Sequence, residues 1–231
     1  MEHNAIAAYL RQFGALAAFP DLPFDEIVAA GRLARWKKGQ TVLEIGLPRI
    51  GPIFVLSGIL SLANWTSIDD IEFIFPIYQR SCFQLDAWMD TPSRSTAVAV
   101  SDVQAFVIPV AAYKELLARF PDLQRAFWAA SANNVDTVMA VFAEFVSNSS
   151  DERLFAFLRR YMRSVENIDS ERWPWLISQG ELANFLGTSR PHLSTIIGKL
   201  KNQGVLEMTR RELRVPVTSP LHPRHKPMRN G

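Results

Sequence analysis

Residues 177–205 read ISQGELANFLGTSRPHLSTIIGKLKNQGV, and this stretch decides the fold of its half of the chain. Ser178 and Glu181 have the S-x-x-E spacing of a capping box, so a helix is expected to start at Ser178. Leu182, Ala183, Phe185 and Leu186 supply its apolar face, and the small Ala183 lets a second helix come close. Gly187 follows where the chain must turn, because glycine enters the left-handed conformation without a steric penalty. Thr188 or Ser189 can cap the next helix, with Pro191 in its first turn, where a missing N–H does no harm. Leu193, Ile196, Ile197 and Leu200 then recur at 3/4 spacing and face inward. Ala183, Gly187, Leu193 and Ile196 together make the packing skeleton of a helix-turn-helix. Arg190, His192, Ser194, Thr195 and Lys199 are left on other faces, a polar and basic surface suited to a DNA major groove. The plainer alternative is an αα-hairpin in an ordinary helical domain, with its serines and threonines merely solvated.

Charge is distributed to match. The 231 residues carry a net +2 and are 48% hydrophobic, enough for two domains with real cores. Residues 1–149 hold 11 Lys/Arg against 15 Asp/Glu, a net of −4, and residues 150–231 hold 14 against 8, a net of +6. The basic excess lies with the helix-turn-helix, where it favours phosphate contact and salt-dependent binding. Cys82 is the only cysteine, which excludes an intrachain disulfide, a cysteine-ligated zinc site and an iron–sulfur cluster within one chain. No stretch of about 20 apolar residues suggests a membrane span, and MEHNAIAAYLRQFG lacks the pattern of a signal peptide. A cytoplasmic protein is expected, with no metal site and no membrane partner.

Outward from the motif, residues 5–19 read as a short amphipathic helix and 23–31 as another helical turn or two. From Arg32 to Pro109 short apolar runs (TVLEIG, PIFVLSGILSLANW, IEFIFPIY, STAVAV, VQAFVIP) alternate with Gly, Pro and Asp, as in an antiparallel sandwich or roll. Gly39, Gly46 and Gly58 fall at turns. Beyond Phe120-Pro121-Asp122, the residues Leu123, Phe127, Ala130, Val135, Val138, Phe142 and Phe145 form a helical stripe. Such a stripe can pack on the chain's own sheet or pair with its copy across a two-fold axis, and pairing is the favoured reading. SNSSDE (147–152) reads as a break and helix start. After the motif, residues 205–215 read as a hairpin with Arg210 and Arg211 at its tip, and the tail SPLHPRHKPMRNG reads as frayed.

Two regions resemble the Crp/Fnr family of bacterial transcription regulators. ARWKKGQTVLEIG…IGPIFVLSGILSLAN resembles the opening strands of a cyclic-nucleotide-binding β-roll, and LISQGELANFLGTSRPHLSTIIGKLKNQGVLEM resembles the family's helix-turn-helix. SDVQAFVIPVAAYKELLARFPDLQRAF is similar to the last roll strand running into a dimerisation helix. The likeness spans about residues 15–217. It implies an α+β chain: an N-terminal jelly-roll-like β-roll sensor (1–118), a long dimerisation helix (119–148) and a C-terminal winged helix-turn-helix (149–231). It further implies a homodimer paired through 119–148 on a palindromic double-stranded DNA site, contact with RNA polymerase, and a small-molecule effector. Matching positions make Ser189, Arg190, Pro191 and Thr195 the base-facing set, with Arg190 suited to bidentate contact with guanine. Ser178 can bind phosphate while capping its helix. His192, Ser194, Lys199, Arg210 and Arg211 complete the expected DNA-binding residues. The chain departs from the pattern where relatives often carry Glu and Arg, for Pro191 and Thr195 stand in those places.

The sensor departs more. Relatives that bind cyclic nucleotides hold phosphate and ribose with a Gly-Glu pair and, some ten residues on, Arg-Ser or Arg-Thr. Arg94-Ser95-Thr96 survives, but the Gly-Glu place falls on Phe83-Gln84. Phe blocks the backbone approach that Gly allows and Gln supplies no carboxylate, so cAMP is not the expected ligand and no cofactor is predicted. Phe83, Gln84, Arg94, Ser95 and Thr96 are the candidate effector residues. Arg94 could instead pair with Asp86 or Asp90, and Phe83 and Trp88 could fill the pocket. Haem stays open, although all four histidines lie outside the expected roll. No P-loop, GxGxxG, HExxH or GxSxG is present, so no enzyme is expected. The competing reading is a ligand-binding or protein-interaction module whose helix-turn-helix no longer reads DNA.

Overall fold

The computed structural model describes residues 3–65 and 72–224. The chain divides into two compact units, Met1–Val141 and Phe142–Gly231. The first opens with helices α1 (His3–Arg11) and α2 (Phe24–Ala30). The helix expected over 5–19 ends at Arg11, and Gly14, at φ +37°, opens a 3-10 turn over residues 14–18. Strands β1 (Arg32–Trp36), β2 (Thr41–Leu43), β3 (Ile53–Ser57), β4 (Leu60–Trp65), β5 (Glu72–Ile77), β6 (Cys82–Phe83), β7 (Thr96–Ala99) and β8 (Val103–Val107) follow. They form two antiparallel sheets, ordered β1-β8-β3-β6 and β2-β7-β4-β5. This is the expected roll.

Alternation along the strands builds the space between the sheets. Ile53, Val55, Leu60, Ala97, Ala99, Ala105 and Val107 all point into it and are almost fully buried. The other face of the first sheet, with Phe54 and Phe106, packs under α1, α2 and α3 (Val110–Arg119). The expected turn glycines Gly39, Gly46 and Gly58 all have positive φ. Gly58, between β3 and β4, is the most constrained of them. Its φ is +87°, and a Cβ there would sit 2.3 Å from the Asp102 carbonyl oxygen.

Helix α4 (Pro121–Ser147) has 27 residues, about 40 Å at 1.5 Å per residue. The expected single stripe is two surfaces. Leu123, Ala126, Phe127 and Ala130 are buried in the roll's own core, whereas Trp128, Val135, Val138, Met139, Phe142 and Val146 are exposed. Pairing with a copy therefore cannot claim Leu123, Phe127 and Ala130, because those positions are already covered.

The second unit holds α5 (Ser150–Ser164), β9 (Arg172–Pro174), α6 (Gln179–Phe185), α7 (Arg190–Asn202), β10 (Glu207–Met208) and β11 (Glu212–Arg214). Ser149 caps α5 through a reciprocal box: its hydroxyl accepts from the Glu152 N–H at 3.4 Å, and the Glu152 carboxylate accepts from the Ser149 N–H at 2.8 Å. Those bonds hold the Glu152 carboxyl below its usual range. The hairpin β10–β11 exists as expected, with β9 added as a third strand beside β11. Trp173, Trp175 and Ile177 alternate inward from β9 and its extension. Tyr161 crosses beneath them, donating to the Pro174 carbonyl at 2.7 Å and accepting from the Leu176 N–H at 3.0 Å.

The tail differs from expectation up to Arg224. Ser219, Leu221 and His222 are buried. Arg159 donates to the Pro220 carbonyl at 2.9 Å, Ser219 to the Val205 carbonyl at 2.8 Å, and His222 Nε2 bonds the Ser170 carbonyl at 2.7 Å. The composition of this segment suggested fraying, yet one leucine and three specific hydrogen bonds dock it. Residues 225–231 lie outside the described residues, as do 66–71.

Candidate DNA-binding surface

The surface is assembled from local instructions. Ser178 caps α6: its hydroxyl accepts from the Glu181 N–H at 3.2 Å and the Glu181 carboxylate accepts from the Ser178 N–H at 2.6 Å. Leu182, Ala183 and Phe185 turn inward, and Phe185 stacks on Phe157 of α5 at 6.0 Å. The chain reverses at Gly187, φ +57°, with the Thr188 N–H bonded to the Ala183 carbonyl at 3.0 Å. A Cβ on Gly187 would lie 2.9 Å from the Phe145 ring, so the end of α4 packs against this turn. Ser189 caps α7 through its hydroxyl and the His192 N–H, 3.4 Å, with Pro191 in the first turn. Leu193, Ile196, Ile197 and Leu200 are buried, which fixes the roll of α7 about its axis.

That rotation exposes Ser189, Arg190, Pro191, His192, Ser194, Thr195 and Lys199 together, all of the residues expected on this helix. Ser178 is exposed at the neighbouring helix end, and Arg210 and Arg211 are exposed at the hairpin tip. The tip is shaped by Thr209, whose hydroxyl accepts from the Arg211 and Glu212 N–H groups at 3.2 and 3.0 Å. Sequence reading missed Gln179. It is exposed at the first position of α6, and its Oε1 accepts from the Ser194 hydroxyl at 3.5 Å. Its signal was its place directly after the Ser178 cap, on the turn that α7 crosses. Gly180 lies beside the Arg190 side chain, within 3.8 Å of a built Cβ.

Not every cation here is available to a partner. Arg214 pairs with Glu171 and Glu207, Arg172 with Asp169 and Glu212, and Arg160 with Glu144 through contacts of 2.6 and 2.7 Å. Backbone bonding from the Glu171 N–H, followed by Arg172, holds the Asp169 carboxyl below its usual range. Lys199 reaches Asp151 at 3.6 Å, an exposed pair of little energetic worth. Arg190, Lys201, Arg210 and Arg211 have no ion pair among the described residues. Arg159 and Arg163 of α5 are also exposed and without an ion pair among the described residues, so unpaired cations lie on α5 as well as on α7 and the hairpin tip.

The first unit holds a cavity of about 310 Å³ between the roll and α4. Phe13, Leu62, Phe75, Ile77, Phe83 and Val138 give it an apolar lining, with Arg80, Ser81, Asn133, Asn134 and Thr137 as its polar side chains. Asn134 Nδ2 donates to the Cys82 carbonyl at 2.8 Å, tying helix to strand. Burial pushes the Cys82 thiol, which also lines this cavity, up to about 12, so it stays protonated at neutral pH. Of the five expected effector residues only Phe83 lines the cavity. Gln84 is buried at φ +58°, its Oε1 accepting from the Ile50 N–H at 3.3 Å and its Nε2 buried without a hydrogen-bond partner among the described residues. Thr96 Oγ1 accepts from the Ile45 N–H at 3.3 Å, the Ser95 carbonyl accepts from the Ser93 hydroxyl at 2.8 Å, and Arg94 is exposed. Arg94 is not the partner of Asp86 or Asp90, which pair with Arg49 and Lys114. Trp88 does not plug the pocket, being 41% exposed.

The model of the Crp-like helix-turn-helix domain matches residues 152–220, covering α5 through the hairpin and the start of the docked tail. Residues 152–220 form a Crp-like helix-turn-helix domain. Over 195 residues the chain is 23% identical to the transcriptional regulatory protein Btr of Bordetella pertussis, covering 83% of this chain and 79% of that protein. The fold is similar to that of FixK2 from Bradyrhizobium japonicum, with a TM-score of 0.73 at 17% identity, across 83% of this chain and 96% of that one. It is also similar to TTHA1359, a Crp/Fnr-family transcriptional regulator from Thermus thermophilus, with a TM-score of 0.62 at 16% identity, across 80% and 93% of the two chains. Roll, long helix and winged helix-turn-helix thus follow the Crp/Fnr architecture along most of the chain. No helix among the described residues is long and apolar enough to cross a membrane.

Proposed function

We propose that this Crp/Fnr-type chain is a transcription regulator that binds a palindromic double-stranded DNA operator as a homodimer. The observation that carries this reading is a helix-turn-helix whose second helix exposes Ser189, Arg190, Pro191, His192, Ser194, Thr195 and Lys199 together, with Arg190 and Lys201 free of ion pairs among the described residues. Phosphate contacts supply affinity and base-edge contacts supply selectivity, and the surface holds groups for both. The exposed stripe Trp128, Val135, Met139, Phe142 and Val146, spaced by seven, four, three and four residues, supports pairing through α4. Two copies would place their recognition helices in successive major-groove segments about 34 Å apart.

The test is selection of duplexes from a random pool, followed by gel-shift titration at two salt concentrations. The expected outcome is enrichment of an inverted repeat, bound tightly and with strong salt dependence. Equal weak retention of every sequence would point instead to an interaction module with a silent helix-turn-helix.

The roll cavity supports a second element of the proposal, an effector other than cAMP. Phe83 lines the cavity and Arg94 does not. A compact ligand with an apolar body suits the lining. Such a ligand would act by changing the spacing of the two DNA-binding domains. Thermal-shift screening of the full chain against small apolar acids, amides and cyclic nucleotides is the direct check, with stabilisation by cAMP the outcome that sinks this part.

A further inference from the structure

The exposed face of α7 has a chemistry of its own beyond generic DNA contact. Thr195 Oγ1 donates to the Pro191 carbonyl at 3.1 Å. That bond uses the only proton of the hydroxyl and folds the oxygen back against the helix. With the hydroxyl so engaged, the methyl is the side-chain group of Thr195 left without a polar role, and the residue is exposed. Pro191 stands four residues earlier, on the same face one turn below, and is exposed as well. Its ring offers carbon and no N–H. Ser194 stands within 3.5 Å of Gln179 Oε1. Helix α7 contains no Asp or Glu anywhere along Arg190–Asn202.

A reading head of this kind has no carboxylate to accept from cytosine N4. It offers a proline ring and a methyl side by side, next to the donors of Arg190. In the major groove the thymine C5 methyl is the base-edge feature that an apolar surface recognises, while guanine O6 and N7 suit an arginine. We propose that Pro191 and Thr195 select thymine through its methyl group, beside a guanine held by Arg190. This rests on the DNA-binding reading above.

The probe is the best duplex enriched from the random pool, remade with deoxyuridine in place of each thymidine in turn. The exchange removes one methyl and nothing else. At one or two positions beside the invariant guanine, affinity should fall about fourfold, the value of one buried methyl-sized group. Two substitutions of the exposed residue separate methyl from hydroxyl. Thr195→Val keeps the methyl and should bind with near wild-type affinity and the same uracil sensitivity. Thr195→Ser keeps the hydroxyl and should bind thymine and uracil duplexes equally at that position. An enriched site indifferent to uracil everywhere, or a Thr195→Val protein that loses its site, would overturn the proposal while leaving DNA binding intact. A pool that yields no enriched sequence would remove the DNA-binding reading and this proposal with it.

Discussion

The two units encode their sites in opposite ways. In the helix-turn-helix the cap and turn hydrogen bonds link neighbours in sequence: Ser178 with Glu181, Gly187 with Asn184 and Thr188 with Ala183, Ser189 with His192, Thr195 with Pro191. In the roll the cavity is built by residues far apart, such as Cys82 and Asn134, which are 52 positions from each other. A site made of local turns is specified by short motifs and survives wide sequence divergence. A site made of long-range walls can keep its architecture while the side chains that line it vary.

The sharpest way to break the comparison is to attack what the two units share, α4. Val135 and Phe142 are 60% and 53% exposed, so substitution by a carboxylate costs the single chain little. Across a two-fold seam the same charges would be buried and opposed. Val135→Asp with Phe142→Asp is expected to give a folded monomer by light scattering, with operator affinity reduced by about 100-fold or more through loss of bivalent binding. A double variant that remains a dimer would move the interface off this stripe.

Within the DNA-binding unit, Arg190→Ala should lower specific affinity by about 1–3 kcal/mol and relax selection at one base pair. The exposed side chain lies against Gly180 and takes no part in the core, so the thermal midpoint should stay unchanged. Equal affinity for the selected site and a guanine-substituted site in wild type would remove Arg190 from its reading role.

Much of this could be read without coordinates. Both helices of the motif, both caps and the turn glycine stand as local patterns in the sequence. What escaped reading has a common physical cause. Periodicity reports which residues of the α4 stripe are apolar and not what covers them; Ala130 is buried and Val135 exposed in the same pattern. The docked tail escaped because Arg159, Val205 and Ser170, which hold it, are distant in sequence. Gln84 in a left-handed conformation and Arg94 pointing to solvent are outcomes of a loop whose geometry is set by Ile50 and Arg49 across the roll.

Gly187 tests how far the motif's local logic extends. Gly187→Ala places a side chain in the left-handed region, at about 1–2 kcal/mol, and brings a Cβ to 2.9 Å from the Phe145 ring. Reduced thermal stability of the second unit is expected. Adding Phe145→Leu should return only the share due to the ring, leaving the backbone share. Full recovery would mean that the turn tolerates an L-residue and that its glycine is there for α4 alone.

The smallest effects discriminate best among the basic residues. If the ion pairs define which cations reach DNA, Arg210→Ala and Arg211→Ala should each lower the slope of log affinity against log salt by about 0.9, one phosphate contact apiece. Arg172→Ala and Arg214→Ala should leave that slope unchanged, because Asp169, Glu212, Glu171 and Glu207 already neutralise them. Lys199 falls between the two groups: its Asp151 partner is 3.6 Å away and both side chains are largely exposed, so phosphate can compete for it. A uniform slope change across all five positions would show that net charge, and not the arrangement of partners, governs the electrostatics of this surface. A graded change in the order Arg210 and Arg211, then Lys199, then Arg172 and Arg214 would instead trace the DNA backbone along the hairpin tip and α7.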